Sequence, residues 1–175
     1  NVGGVANVTW IDGIPDPYPC HTGPGNALID DFMRERAGAI RVENGQAAAR
    51  GRVDEAAVAR VLRHSFFALK PPKSLDRNSF REWVTERAQL GEKSVEDGAA
   101  TLAAITAATV ATIVPHLPQA PKSWIVCGGG ASNPTLMRML GERLTPASVE
   151  TASAAGWNAD AIEAQAFAFM AVRSL

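Results

Sequence analysis

Cysteine, tyrosine and net charge are all scarce in this chain of 175 residues. Its two cysteines, Cys20 and Cys127, give no disulfide framework and fall in no C-x-x-C metal pattern. A cytoplasmic location is therefore expected, and no signal-peptide pattern opens the chain. Lys and Arg number 17 against 18 Asp and Glu, for a formal net charge of −1. They form no basic cluster, so no nucleic-acid surface is expected. The histidines, His21, His64 and His116, are dispersed, which argues against a shared metal site. Acidic and basic residues are absent from Gly98 to Pro121. That stretch is rich in Ala and Thr rather than Leu and Ile, and Pro115, Pro118 and Pro121 break its end. It reads as a buried helix, not a membrane span.

What is present is an alternation of apolar patterns. The length suffices for one domain with a real core. "NVGGVANVTWI" reads as a strand, a tight region at Gly3 and Gly4, and a second strand. "DGIPDPYP" reads as a loop. Amphipathic spacing predicts helices over 26–36, with Leu28, Ile29, Phe32 and Met33 on one side, and over 54–69, with Val58, Val61, Leu62, Ser65 and Phe66 inward. Pro71 and Pro72 stop the latter. A polar loop, "KSLDRNS", precedes a short helix over 80–89, and Ser94 with Asp97 opens the long Ala/Thr helix. "SWIVC" reads as a short buried strand, "GGGASN" as a loop, and 134–144 as a helix capped by Asn133 with Pro134 at its first position. "ASVET" is a further strand. A helix over 160–175 is expected to turn Ile162, Ala166, Phe169, Met170 and Val172 inward. This order indicates an α/β fold. The chain opens directly on an apolar run at Asn1 and stops within a helical pattern at Leu175, so a fragment cut at both ends is expected.

Three Gly-rich turns adjoin these elements: "VGGVAN" between strands, "TGPGN" before a helix, and "CGGGASNP" between a strand and a helix. Glycine lets a ligand approach the backbone, and a helix N-terminus offers free N–H groups to an anion. None of the three matches G-x-x-x-x-G-K-[ST] or G-x-G-x-x-G. Each alone is an ordinary tight turn. Together they suit a nucleotide held between a β-hairpin and a helix N-terminus.

In order and along the whole chain, "NVGGVANVTW", "TGPGNALIDD", "KPPKSLDRNSF", "DGAATLAAITAATV", "VCGGGASNPTLM" and "GWNADAIEAQAFAFMAVRSL" closely resemble the anhydro-N-acetylmuramic acid kinase family. The resemblance implies an actin-like, sugar-kinase architecture of two ribonuclease H-like lobes closing on ATP. Residues 1–175 would be the C-terminal lobe, a mixed sheet with flanking helices. The N-terminal lobe with the first phosphate loop would be absent, and this fragment alone inactive. The family opens the 1,6-anhydro bridge of its amino sugar by hydrolysis and phosphorylates the 6-hydroxyl, in peptidoglycan recycling. By the same resemblance Gly3, Gly4 and Asn7 form the second phosphate motif, with Gly23 and Gly25 in the following turn. Gly128, Gly129, Gly130 and Ala131 form the adenosine-side loop, and Glu163 of "EAQAFA" lies near the sugar. ATP, Mg²⁺, a small sugar substrate and a homodimer are what the family implies; no resident metal site, nucleic acid or membrane partner is expected.

One residue departs from the pattern. The family has Asp-x-Gly-Pro-Gly-Asn, with that aspartate as general base toward the attacking water; here His21 takes its place. Phosphates nearby favour the imidazolium, which cannot accept a proton. His21 is thus either a substituted base or the mark of a non-catalytic nucleotide-binding relative. Asp30 matches a family aspartate that could order the site or hold Mg²⁺ through water, and Asp31 reads as surface. Lys73, Ser74 and Arg77 match a family loop and are candidates to touch ligand. A hydrolase built on Cys20 and His21 is disfavoured, because neighbours in an extended segment point apart. Cys127, at a strand end, reads as packing.

Overall fold

The computed structural model describes residues 1–11, 18–38, 45–158, and 162, 165, 168 and 172. Strand β1 (Val5–Trp10) pairs antiparallel with β2 (Tyr18–Pro24), placing Asn7 opposite His21 and Val8 opposite Cys20. The register shifts between Ala6 and Asn7. Helix α1 (Ala27–Ala37) follows, burying Leu28, Ile29 and Met33 with Phe32 half-buried beside them, and ends at Gly38 in the left-handed conformation (φ 61°). Next come α2 (Gln46–Arg50), α3 (Glu55–Leu62), α4 (Arg77–Ala88) and α5 (Val95–Ala111). Then β3 (Ser123–Val126), α6 (Pro134–Arg143) and β4 (Ser148–Thr151) complete a strand–helix–strand unit in which β3 and β4 are parallel.

The core is organised on α5. Every residue from Gly98 to Val110 is buried, with α1, α2, α3, α6 and β2 packed around the helix. Its apolarity is thus explained by protein neighbours, as the sequence reading holds. Small side chains let those neighbours come close. A Cβ on Gly98 would enter the Phe32 ring of α1, and one on Gly23 of β2 would enter Thr109. The start is fixed by Ser94, whose Oγ accepts the Asp97 N–H at 3.1 Å. At α6, Asn133 Oδ1 accepts the Leu136 N–H at 3.1 Å and Pro134 opens the helix, as expected.

The structure corrects several expectations. Among the described residues the strands form two two-stranded sheets rather than one mixed sheet. The 54–69 helix stops at Leu62. His64 turns extended (φ −63°, ψ 134°), its Nδ1 accepts the Phe66 N–H at 3.0 Å, and a 3₁₀ turn over Ser65–Ala68 follows, with Ser65 outward. β3 is not a buried strand: Val126 is covered, but Ile125 is 42% exposed. Of the expected C-terminal helix, residues 162, 165, 168 and 172 are helical. Val172 is exposed rather than inward, and Ala166, Phe169 and Met170 lie outside the described residues.

Candidate functional site

The three Gly-rich turns meet. Val2 N–H donates to the Cys127 carbonyl at 2.7 Å, and Gly130 N–H donates to the Val2 carbonyl at 2.8 Å. Asn26 N–H donates to the Gly3 carbonyl at 2.7 Å, and Gly25 N–H to the Gly4 carbonyl at 3.2 Å. Backbone bonds therefore tie "VGGVAN" to both "TGPGN" and "CGGGASN". Ala131 N–H closes the last loop on the Gly128 carbonyl at 3.0 Å.

The glycines divide into two groups. A side chain on Gly25 would enter the Gly3 carbonyl; one on Gly128, held at φ 83°, would meet Asn1 and Val2; one on Gly130 would meet the Val2 side chain. With Gly23 against Thr109, these positions let chain approach chain. Gly3 and Gly4 have no neighbour closer than 3.6 Å and 3.9 Å, and Gly129 has none within 4 Å. Those three leave open backbone at the junction, where a ligand can come close.

His21 lies beside this junction. Its backbone N–H donates to the Lys73 carbonyl at 3.0 Å. Its Nδ1 stands 3.0 Å from the Leu75 carbonyl, 3.3 Å from the Leu75 N–H and 3.4 Å from Ser74 Oγ. The 73–75 loop thereby fixes the ring through one nitrogen. Asn7, Pro19, His21, Pro72, Lys73 and Ser74 border a cavity of about 400 Å³.

Cys20 packs with Trp10, Ile113 and Leu117. Burial raises its thiol pKa above the ordinary 9.0, against the pull of Lys73. It is a neutral core thiol, not the nucleophile partner of His21. Lys73 is itself 8% exposed, with Nζ donating to the Phe66 carbonyl at 3.0 Å and lying 4.6 Å from the Phe66 ring centre. Burial lowers its pKa, and Cys20 opposes that. Its ammonium ties the loop to the 3₁₀ turn. Arg77 is likewise engaged, donating to Asp31 at 2.7 Å. Asp31, expected at the surface, has a side chain only 13% exposed and also pairs with Arg34 at 2.9 Å. Its pKa is lowered: burial pushes upward, but hydrogen bonds from Arg77 and Arg34 together prevail.

One turn earlier on α1, Asn26 Nδ2 donates to Asp30 Oδ2 at 3.0 Å. Burial raises the Asp30 pKa despite that bond and the charges of Arg34 and Arg77, and Asp31 adds to the rise. Asn26 Oδ1 is buried with no hydrogen-bond partner among the described residues. This pair escaped the sequence reading, although its i, i+4 spacing was available. Among the described residues no three His, Cys, Asp or Glu side chains gather as metal ligands. His64 caps a turn, and Cys127 serves through its carbonyl. Glu163 lies outside the described residues.

The family model for anhydro-N-acetylmuramic acid kinase matches residues 1–175. A protein of that name from Azorhizobium caulinodans is 64% identical over 175 residues, all of this chain and 47% of its own length. Relatives of the same name from Rhodopseudomonas palustris (strain BisB18) and Bradyrhizobium diazoefficiens are each 55% identical over the whole chain, which covers 47% and 46% of them. The chain thus spans about half the length of the curated relatives it matches. Matched end to end, with its Gly-rich turns gathered at one junction, the chain belongs to the anhydro-N-acetylmuramic acid kinase family.

Proposed function

We propose that this chain is the C-terminal, ribonuclease H-like lobe of an ATP-dependent kinase for 1,6-anhydro-N-acetylmuramic acid, acting in cytoplasmic peptidoglycan recycling. The observation that carries the reading is the junction of the three Gly-rich turns, with Gly3, Gly4 and Gly129 open where a phosphate chain needs close backbone approach. Asn7, Gly23, Gly25, Gly128, Gly130 and Ala131 shape that junction. Asp30, which accepts from Asn26 Nδ2 at 3.0 Å, would be the carboxylate to hold a hydrated Mg²⁺ arriving with the phosphates. The missing half of the protein would close over the nucleotide, and Glu163 would approach the sugar.

Water attacks the anomeric carbon while a base at position 21 takes its proton. The bond from that carbon to the 6-oxygen breaks, and the freed 6-oxygen takes the γ-phosphoryl group, leaving ADP. A second reading, a non-catalytic nucleotide-binding relative, rests on the imidazole that stands at position 21 where the family has its aspartate. Turnover separates the two. In the full-length protein His21→Asp should raise kcat by about 10²-fold or more, with KM for ATP unchanged. Aspartate can accept the same Leu75 N–H and stays ionised beside phosphates, whereas the backbone contacts to nucleotide act in ground and transition states alike. Equal or lower kcat for His21→Asp between about pH 6 and 9 rejects the lost-base reading. Absence of ATP binding in both proteins rejects the kinase lobe itself.

A further inference from the structure

Lys73 places a charge where charge is costly. Its side chain is buried, and among the described residues its ammonium finds carbonyls rather than a carboxylate. Nζ donates to the Phe66 carbonyl at 3.0 Å, lies 3.5 Å from that of Phe67 and faces the Phe66 ring. The Cys20 thiol beside it stays neutral and offers no counter-charge. Burying an ammonium costs free energy, and an apolar side chain of similar volume often serves stability as well or better. The ammonium is therefore poorly explained by stability alone. Its contacts run between a fixed turn and position 21. Phe66 is the fixed end. Its ring meets those of Phe67 and Phe80 edge-on, with centres 5.6 Å and 5.2 Å apart, and Phe80 is a core residue of α4. Its N–H is taken by His64 Nδ1 at 3.0 Å. At the other end the Lys73 carbonyl accepts the His21 N–H at 3.0 Å, while Ser74 and Leu75 stand against the His21 ring. Residues 73–75 thus touch residue 21 at backbone and side chain, yet belong to no helix or strand. The loop is held at its far end by Asp76, which caps α4 through the Asn78 and Ser79 N–H groups. At its near end the Lys73 ammonium anchors it to Phe66.

We propose that Lys73 is a positioning residue for position 21: its ammonium, seated on the Phe66 carbonyl, sets the 73–75 loop and through it the placement of the group that acts as base. The inference rests on the kinase reading, because that reading puts a base at position 21. It holds for either side chain there, since the N–H that Lys73 accepts belongs to the backbone and aspartate keeps it. Lys73 acts through the loop; its ammonium is engaged with Phe66, not with ligand. Proton transfer in the transition state depends steeply on the distance between base and water, so a loosened loop costs rate. Nucleotide contacts come from the backbone of the Gly-rich junction, which this loop does not form. The loss therefore falls on kcat and spares KM for ATP.

Lys73→Met in the full-length protein tests it, made both in the parent and beside His21→Asp. Methionine keeps an unbranched stem and removes the ammonium. In whichever background turns over the anhydro sugar, kcat should fall by about 10- to 100-fold, with KM for ATP and Tm little changed. Amide exchange at His21 should quicken in the same variant, because its acceptor is no longer pinned. Lys73→Gln, shorter and neutral, replaces the methionine variant if that does not fold. Turnover with unchanged kcat in the variant overturns the inference and leaves the kinase reading standing. A fall in kcat matched by an equal loss of ATP affinity or by a large loss of Tm also overturns it, as does failure of both variants to fold, because Lys73 would then serve packing alone. No turnover in either the parent or His21→Asp removes the kinase reading, and the inference with it.

Discussion

Asp30 is held against its own preference. Its folded pKa lies above the ordinary 3.8, chiefly through burial. The carboxyl therefore contributes stability that is present below the unfolded pKa and lost as pH rises through the folded one. Asparagine does not titrate and can still accept from Asn26. Asp30→Asn should accordingly gain stability relative to the parent as pH rises from about 3.5 to 7, read by urea denaturation at both pH values. A relative loss at the higher pH would contradict the sign. A half-buried carboxylate beside an unpartnered amide oxygen is the kind of local cost that functional sites carry. The sequence shows why such residues are only half legible. The motif around His21 identifies the turn, but Leu75, which holds the imidazole, is 54 positions away, and no local pattern announces that contact. Lys73 misleads in the opposite way: a lysine in a polar loop reads as a ligand contact, yet its ammonium is buried against Phe66.

Helix α5 and the segment crossing it rely on small side chains. Gly51 has ordinary extended backbone (φ −88°, ψ 165°), but a Cβ there would enter the Glu96 carbonyl, where the chain crosses the start of α5. Gly51→Ala should destabilise the protein by about 1–3 kcal/mol through forced displacement. Gly141, inside α6, would find nothing within 4 Å of an added Cβ. Gly141→Ala should stabilise by about 0.5–1 kcal/mol through helix propensity. Opposite shifts in Tm for the two variants are expected, and equal shifts would refute the packing account. Elements with a strong periodic face or a cap were readable: α1, α5 and α6 lie close to where spacing and the caps at Ser94 and Asn133 put them. Strand β2 was hidden because Pro19, Gly23 and Pro24 look like turn residues, though six of its 7 residues pair with β1, four of them beyond the register shift between Ala6 and Asn7. Helix α2 is five residues long and Ala-rich, too short to show a period.

At the scale of the whole molecule, acid should act through a few carboxylates. Asp31, Asp54 and Asp76 all have lowered pKa values. For Asp31, burial raises the pKa but is outweighed by the bonds from Arg77 and Arg34; for Asp54 the cause is first its bond from Lys93; for Asp76 it is the bonds from Ser79 and Asn78. Each contributes stability present above the ordinary value of 3.8 and lost as pH falls through the lower folded value. Changing all three to asparagine should flatten the fall of stability below that pH while keeping the caps of α3 and α4, since asparagine caps as well as aspartate. An unchanged acid limb in the triple variant would assign the loss to other groups. The α/β class was legible from the order of patterns; the tie between the β1–β2 hairpin and the loop after β3 was not, because Val2 makes it through backbone bonds that no side-chain pattern reveals. The burial of α5 has a further consequence, for synthesis. β1, β2, α1, α2 and α3 all precede that helix in the chain; β1 and β2 pair chiefly with each other, whereas α1, α2 and α3 have α5 as their main partner. Until residue 111 has left the ribosome α1, α2 and α3 lack the helix they pack on, so their apolar faces should stay exposed until that late element arrives.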